Sequence, residues 1–417
     1  MNYRTEIDGL RAFSVLPVIF FHAGFEWFGG GFVGVDVFFV ISGYLIATII
    51  ISEIEEGKFS LTNFYERRAR RILPALFFVM LACIPFSWVW LTPSDLRDFG
   101  QSLVAVSTFS SNIFFWIKSG YFDVASELRP LLHTWSLAVE EQYYILFPLF
   151  LLLTWRLGIK WIVILLVLVL LTRIGVAHLA VTHGVHPKII SGAFYSLPTR
   201  GWELLLGMLF AIYFRYNGYI KSQLTNQICS LSGLGMIIFS IIAFDKDTPF
   251  PGMNALLPTI GAGLIILSAT ENTIARKLLS YSPVVGLGLV SYSAYLWHQP
   301  VLAFAKYGTL GEVPGFILVI LCCLSLLLAY ISWRWIEKPF RNKEVVGRNT
   351  VIYGSLSGVL LFSLTGLAVH SKGEIIFQYQ PRIEFTFFRH FYSNERFEFM
   401  DAYRLNAGQK IQLQVNI

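Results

Sequence analysis

The chain has 417 residues, of which 55% are hydrophobic and only 14% charged, with a net charge of +6. A soluble domain carries about 25% charged residues, so a chain this apolar needs lipid as its solvent. That excludes a disordered chain, a secreted disulfide scaffold and a nucleic-acid-binding protein. The basic excess is the one expected of cytoplasmic loops. Cys83, Cys229, Cys322 and Cys323 all lie in apolar runs, where cysteine acts as a small hydrophobe. None has zinc-site spacing, so no metal is expected.

A membrane-spanning helix needs about 20 mostly apolar residues. By that measure about eleven segments qualify. They begin near Ala12, Phe32, Ile72, Val139, Trp161, Thr199, Ile228, Met253, Val284, Pro314 and Thr350. The stretch from Leu96 to Ile117 is more polar and reads as an outer loop with an interfacial helix. With the N-terminus in the cytoplasm, the inner segments hold about 18 Lys and Arg residues and the outer loops about six. This bias predicts an all-α polytopic membrane protein of about eleven spans, N-terminus cytoplasmic and C-terminus periplasmic.

Ionisable residues inside spans are costly and are functional candidates. In the first span, Arg11 and His22 stand eleven residues apart, within about 20° of the same helix face and roughly 16 Å apart along the axis. That spacing sets Arg11 near the cytoplasmic surface and His22 near mid-membrane. They are either a snorkelling arginine with a packed histidine or a functional pair. The second span opens with Gly34-Val-Asp-Val-Phe-Phe-Val-Ile-Ser-Gly43, where Gly34 and Gly43 permit close helix approach. Within it, Asp36 is either a salt-bridge partner or a site residue, and Ser42 sits deeper.

Arg67, Arg68, Arg70 and Arg71 occupy four of five positions at the entrance of the third span. They suit an anchor on anionic lipid. They equally suit phosphate, which guanidinium forks bind bidentately. His133-Thr-Trp-Ser-Leu-Ala-Val-Glu-Glu-Gln142 enters the fourth span. Its Glu140 and Glu141 point about 100° apart, so they cannot face one partner together. One of them is expected to pair with Arg200 or His133. Arg200 and Glu203 can also pair with each other at i,i+3. His298 lies in the outer half of the ninth span, beside Tyr295 and Trp297. Glu337, at the end of the tenth, reads as an inner-surface ion-pair partner. There is no phosphate loop, no His-Glu-x-x-His and no Gly-x-Ser-x-Gly elbow.

These motifs, in this order, resemble the acyltransferase family 3 membrane proteins. The resemblance rests on Arg11 with His22, Gly34–Gly43, Arg67–Pro74, His133 through Gln142, Pro198-Thr-Arg200 with Glu203, Tyr292–His298 and Trp335–Pro339. It covers roughly residues 1–345, the predicted acyltransferase membrane domain. Residues 346–370 would form an additional transmembrane helix after a ten-helix core. Residues 371–417 would form a short periplasmic tail without a complete SGNH domain, since no Gly-Asp-Ser or Asp-x-x-His motif follows the last span. The chain thus resembles the membrane half of the SGNH-fused type.

The resemblance implies an inner-membrane O-acetyltransferase that takes its acyl group from acetyl-CoA. The acceptor would be an envelope glycan or glycolipid: lipopolysaccharide O-antigen, peptidoglycan or exopolysaccharide. Catalytic candidates are His22, Asp36 and Glu140, with His22 as general base. Arg11, Arg67, Arg68, Arg70 and Arg71 would hold the acyl-CoA. His133, Glu141, Arg200 and His298 would bind the acceptor. A glycolipid transporter is the competing class, although no inverted repeat or paired broken helices are visible.

Overall fold

The computed structural model describes residues 3–118, 121, 124–183, 186–309 and 313–378. Every regular element among them is helical. The α-helices are α1 (Thr5–Ala23), α2 (Gly34–Glu55), α3 (Leu61–Trp90), α4 (Pro93–Ser107), α5 (Ser111–Lys118), α6 (Val124–Glu127), α7 (Thr134–Thr154), α8 (Ile159–His183), α9 (Pro187–Tyr195), α10 (Leu197–Asn217), α11 (Gln223–Ala243), α12 (Leu256–Ser268), α13 (Ile274–Leu279), α14 (Ser282–Gly308), α15 (Gly315–Ser332), α16 (Lys338–Arg341) and α17 (Arg348–Gln378).

A helix stands at each of the eleven predicted segments. Among the described residues, seven helical segments are long and apolar enough to cross a membrane: Glu26–Glu55, Leu61–Trp90, Thr134–Leu157, Ile159–His183, Gln223–Ala243, Gly315–Arg341 and Arg348–Ser371. The chain is therefore a multi-pass membrane protein. The other four predicted spans fall short for physical reasons. Glu6, Asp8 and Arg11 break up α1, and Arg200, Glu203 and Arg215 break up α10. Only 13 residues long, α12 is below the bilayer requirement. Ser291, Tyr292, Ser293, His298 and Gln299 interrupt α14. Three of these four helices carry candidate site residues.

The helices group into two compact units. The first comprises Met1–Arg67, Asn112–Asp123 and Thr134–Tyr295. Its central helix is α2, which buries Val35, Val37, Val40, Ile41, Tyr44 and Ala47 around its whole circumference. Packing is closest where α2 crosses α10: a Cβ at Gly43 would run into the Leu204 carbonyl, and one at Gly207 into that of Val40. Gly34 meets α1 at Ser14 in the same way. Both glycines read as packing positions thus stand at helix crossings. By contrast, α8 exposes Trp161, Leu168, Leu171 and Leu179, an apolar surface suited to lipid. Arg4 pins the start of α1: its guanidinium pairs with Glu6 at 2.7 Å and donates to the Tyr44 hydroxyl at 2.8 Å and the Ile266 carbonyl at 2.6 Å.

The second unit comprises Arg68–Ser111, Val124–His133 and the described part of Leu296–Ile417. The Leu96–Ile117 stretch, expected to be an outer loop with an interfacial helix, forms α4 and α5, and α4 packs along α17. Gly100 and Gly366 make the crossing, each leaving no room for a Cβ against the other's carbonyl. Gln101 meets His370 at 3.1 Å, and Ser107 meets Ser363 at 3.1 Å. The predicted boundary of the additional helix at 370 is extended to Gln378, and residues 379–417 of the predicted tail lie outside the described residues.

Candidate active site

His22 occupies the last turn of α1, which ends at Gly24 in the left-handed conformation (φ 92°). Gly24 donates its N–H to the Phe20 and Phe21 carbonyls, which closes the helix. Because α1 begins at Thr5 rather than near Ala12, His22 stands at the far end of the helix and not at its middle. The imidazole is buried, with Nδ1 2.8 Å from the Val18 carbonyl and Nε2 3.0 Å from the Tyr121 hydroxyl. A carbonyl can only accept, so Nδ1 carries the proton. In the neutral ring the Nε2 lone pair then accepts from Tyr121. Tyr121 is held by stacking on Phe194 at 4.3 Å and by edge contacts with Trp135 and Tyr195.

Arg11 lies three turns below on the same helix and pairs with Asp8 at 3.2 Å. Asp8 also accepts the Tyr3 hydroxyl at 2.6 Å, and that hydrogen bond pushes the Tyr3 phenol up to about 12.

A second group of deeply buried charges lies in the first unit. Arg200 pairs with Asp36 at 3.2 Å and with Glu203 at 3.4 Å, and all three side chains are almost wholly buried. Four rings surround the guanidinium, with their centroids 5.3–5.5 Å from its carbon: Phe39, Trp135, Phe194 and Phe250. The i,i+3 pairing of Arg200 with Glu203 is therefore made. The expected pairing of Arg200 with Glu140 or Glu141 is replaced by Asp36, which α2 brings to the start of α10. Glu140 instead accepts the Tyr144 hydroxyl at 3.1 Å, and Tyr144 also contacts the Ser42 hydroxyl. Glu141, 100° around α7, is buried.

Of the arginine cluster, Arg67 belongs to the first unit and pairs with Glu53 at 2.9 Å. The other three belong to the second unit. There Arg70 is buried and donates to backbone carbonyls, while Arg68 and Arg71 are half-buried. The second unit also holds His133 and His298 as a buried pair, ring centroids 5.4 Å apart and nearly perpendicular. Beside them Gln299 donates to the Glu127 and Arg129 carbonyls. Among the described residues, no group of three or more His, Cys, Asp or Glu is placed to hold a metal ion.

Sequence reasoning passed over Tyr121 and Asp8. Asp8 was legible, three residues before Arg11. Tyr121 was not, because only the fold brings it to a histidine 99 positions away.

Comparison with known proteins gives the family of the chain. A family model described as "Acyltransferase domain" matches residues 4–334. The O-acetyltransferase OatA of Staphylococcus aureus, in strains NCTC 8325 / PS 47 and MRSA252, is 33% identical over 354 residues, covering 82% of this chain and 58% of OatA. The chain thus spans somewhat under three-fifths of the length of these relatives. No solved structure matches. With the family model covering most of the chain, and with Arg11, His22, Asp36 and Arg200 all inside it, the chain belongs to the acyltransferase family 3 membrane proteins.

Proposed function

We propose that the chain is an O-acetyltransferase that moves an acetyl group from cytoplasmic acetyl-CoA to a hydroxyl of an envelope glycan. The observation that carries this reading is the state of His22: buried, with Nδ1 committed to a carbonyl and the Nε2 lone pair directed at a hydroxyl. In the reaction the acceptor hydroxyl takes the place of that phenol. Its proton passes to Nε2 while its oxygen attacks the thioester carbonyl carbon. The C–S bond breaks, and the proton moves on to the departing thiolate. A positioned general base of this kind contributes about 10²–10⁴-fold. Arg11 has the role of donor placement, and the α3 arginines that of phosphate contacts.

Asp36, Arg200 and Glu203 are assigned to holding the start of α10 against α2, with Arg200 as the candidate contact to the acceptor. Glu140 acts through the Tyr144 hydroxyl, and His133, Glu141 and His298 are assigned to the acceptor. The topology that goes with this reading has eleven spans, with the N-terminus inside.

The deciding experiment incubates the full chain, in nanodiscs, with acetyl-labelled CoA and fragments of peptidoglycan, exopolysaccharide and O-antigen. Label appearing on a glycan, and its loss in His22→Ala, is the expected result. Glycan crossing the membrane of proteoliposomes that hold the same chain, without label transfer, would instead make the protein a transporter.

A further inference from the structure

The second unit joins two basic clusters that lie 270 residues apart in sequence. One is Arg68, Arg70 and Arg71 on α3. The other is Lys338, Arg341, Lys343 and Arg348, from α16 to the start of α17. The join is made by Arg70, which is 3% exposed. Its Nη1 donates to the Val346 carbonyl at 2.6 Å and to the Phe340 carbonyl at 3.3 Å, one on each side of the loop that carries Lys343. The segment it holds follows a π-helical turn, Trp333–Glu337. Lys338, Arg341, Lys343 and Arg348 are all exposed. These two stretches carry seven cations and, by sequence, two carboxylates, Glu337 and Glu344. Of these, Glu337 is buried and pairs with Arg341 at 3.2 Å.

The basic bias of cytoplasmic loops accounts for the number of these cations but not for their gathering. Charges scattered along the inner surface would satisfy that bias equally well. Gathering like charges costs repulsion, and here a buried guanidinium is committed to keeping them together. A multiply charged anion on such a surface relieves that repulsion. Guanidinium forks match the non-bridging oxygens of phosphate, and lysines add point charge. We infer that Arg68 and Arg71 together with the Lys338–Arg348 segment form one binding surface for phosphate oxyanions, with Arg70 as its internal tie. Two sources supply that chemistry at a membrane surface: the nucleotide phosphates of CoA and the headgroups of anionic lipids. The CoA arm rests on the donor reading above; the lipid arm does not.

The test uses the full chain in nanodiscs and the double variant Lys343→Ala/Arg348→Ala, two exposed positions away from the tie. In phosphatidylcholine discs, the Kd for CoA is measured by calorimetry. In parallel, the rise in Tm on adding phosphatidylglycerol is recorded. A CoA Kd raised about tenfold, a loss of about 1.4 kcal/mol, supports the surface and identifies the nucleotide as its source. An unchanged CoA Kd with loss of the phosphatidylglycerol effect supports it with lipid as the source. If neither quantity moves, the joined surface is wrong. Arg68→Ala/Arg71→Ala separates the two readings. If this pair weakens CoA while the Lys343/Arg348 variant changes nothing, the donor reading stands and the joined surface falls. If CoA binds none of the proteins, wild type included, the donor reading falls and the phosphatidylglycerol arm alone decides the surface.

Discussion

At the scale of single residues, the protein deals with buried charge in two different ways. Arg200 is neutralised by Asp36 and Glu203 and enclosed by four aromatic faces. Breaking such a buried cluster leaves uncompensated charge, which costs far more than an exposed pair. Arg200→Ala is expected to destabilise the fold by about 3–5 kcal/mol, read as a lower unfolding midpoint in detergent. Arg200→Lys should recover only part of this, because one ammonium cannot span both carboxylates as the fork does. A midpoint unchanged in Arg200→Ala would mean that the cluster is not structural.

His22, by contrast, sits between the Val18 carbonyl at Nδ1 and the Tyr121 hydroxyl at Nε2. Tyr121→Phe removes a hydrogen bond, worth about 1 kcal/mol, that the acceptor must displace, so acetyl transfer should persist with the acceptor KM lowered by up to about fivefold. His22→Gln should be as inactive as His22→Ala, since an amide can hydrogen-bond but cannot take up the proton. Turnover in His22→Gln near the wild-type rate would remove His22 from the chemistry.

At the scale of elements, glycine positions decide how closely helices approach. At Gly43 a Cβ would collide with the backbone of α10, which cannot give way as a flexible side chain would. Gly43→Ala is therefore expected to cost about 1–3 kcal/mol and to lower the yield of folded, monodisperse protein on size exclusion. Gly235, on the exposed side of α11, faces open space: a methyl group there would have nothing within 4 Å. Gly235→Ala should be neutral or stabilise by up to about 1 kcal/mol, the helix-propensity difference. Equal losses at both positions would show that the α2–α10 crossing is not the cause.

At the scale of the whole molecule, the pattern of basic residues sets the topology. A reporter after Val369 should read periplasmic, and one between Ser52 and Arg67 cytoplasmic. A cytoplasmic signal after Val369 would require an even number of spans and overturn the eleven-span reading. The helices that fall short of a plain hydrophobic span bear on the same question. Polar residues make α1, α10 and α14 poor spans by composition, and the same helices carry the site candidates Arg11, His22, Arg200 and His298. Within a membrane protein these helices gain their stability from partners rather than from lipid, which is why polar content and candidate function coincide.

The helical, membrane-embedded character of the chain was determined by its sequence alone, because long apolar runs have no other solvent than lipid. So were the presence of a helix at each of the eleven segments, the close packing at Gly34 and Gly43, the Arg200–Glu203 pair and the family motifs, all of which depend on spacing within one helix or one short segment. The tertiary structure alone decided the partners that lie far apart in the chain. It brought Asp36 to Arg200, Tyr121 to His22, the Phe340 and Val346 carbonyls to Arg70, and α17 to α4. Helical periodicity says which face a side chain occupies, but it carries no information about which other helix that face meets.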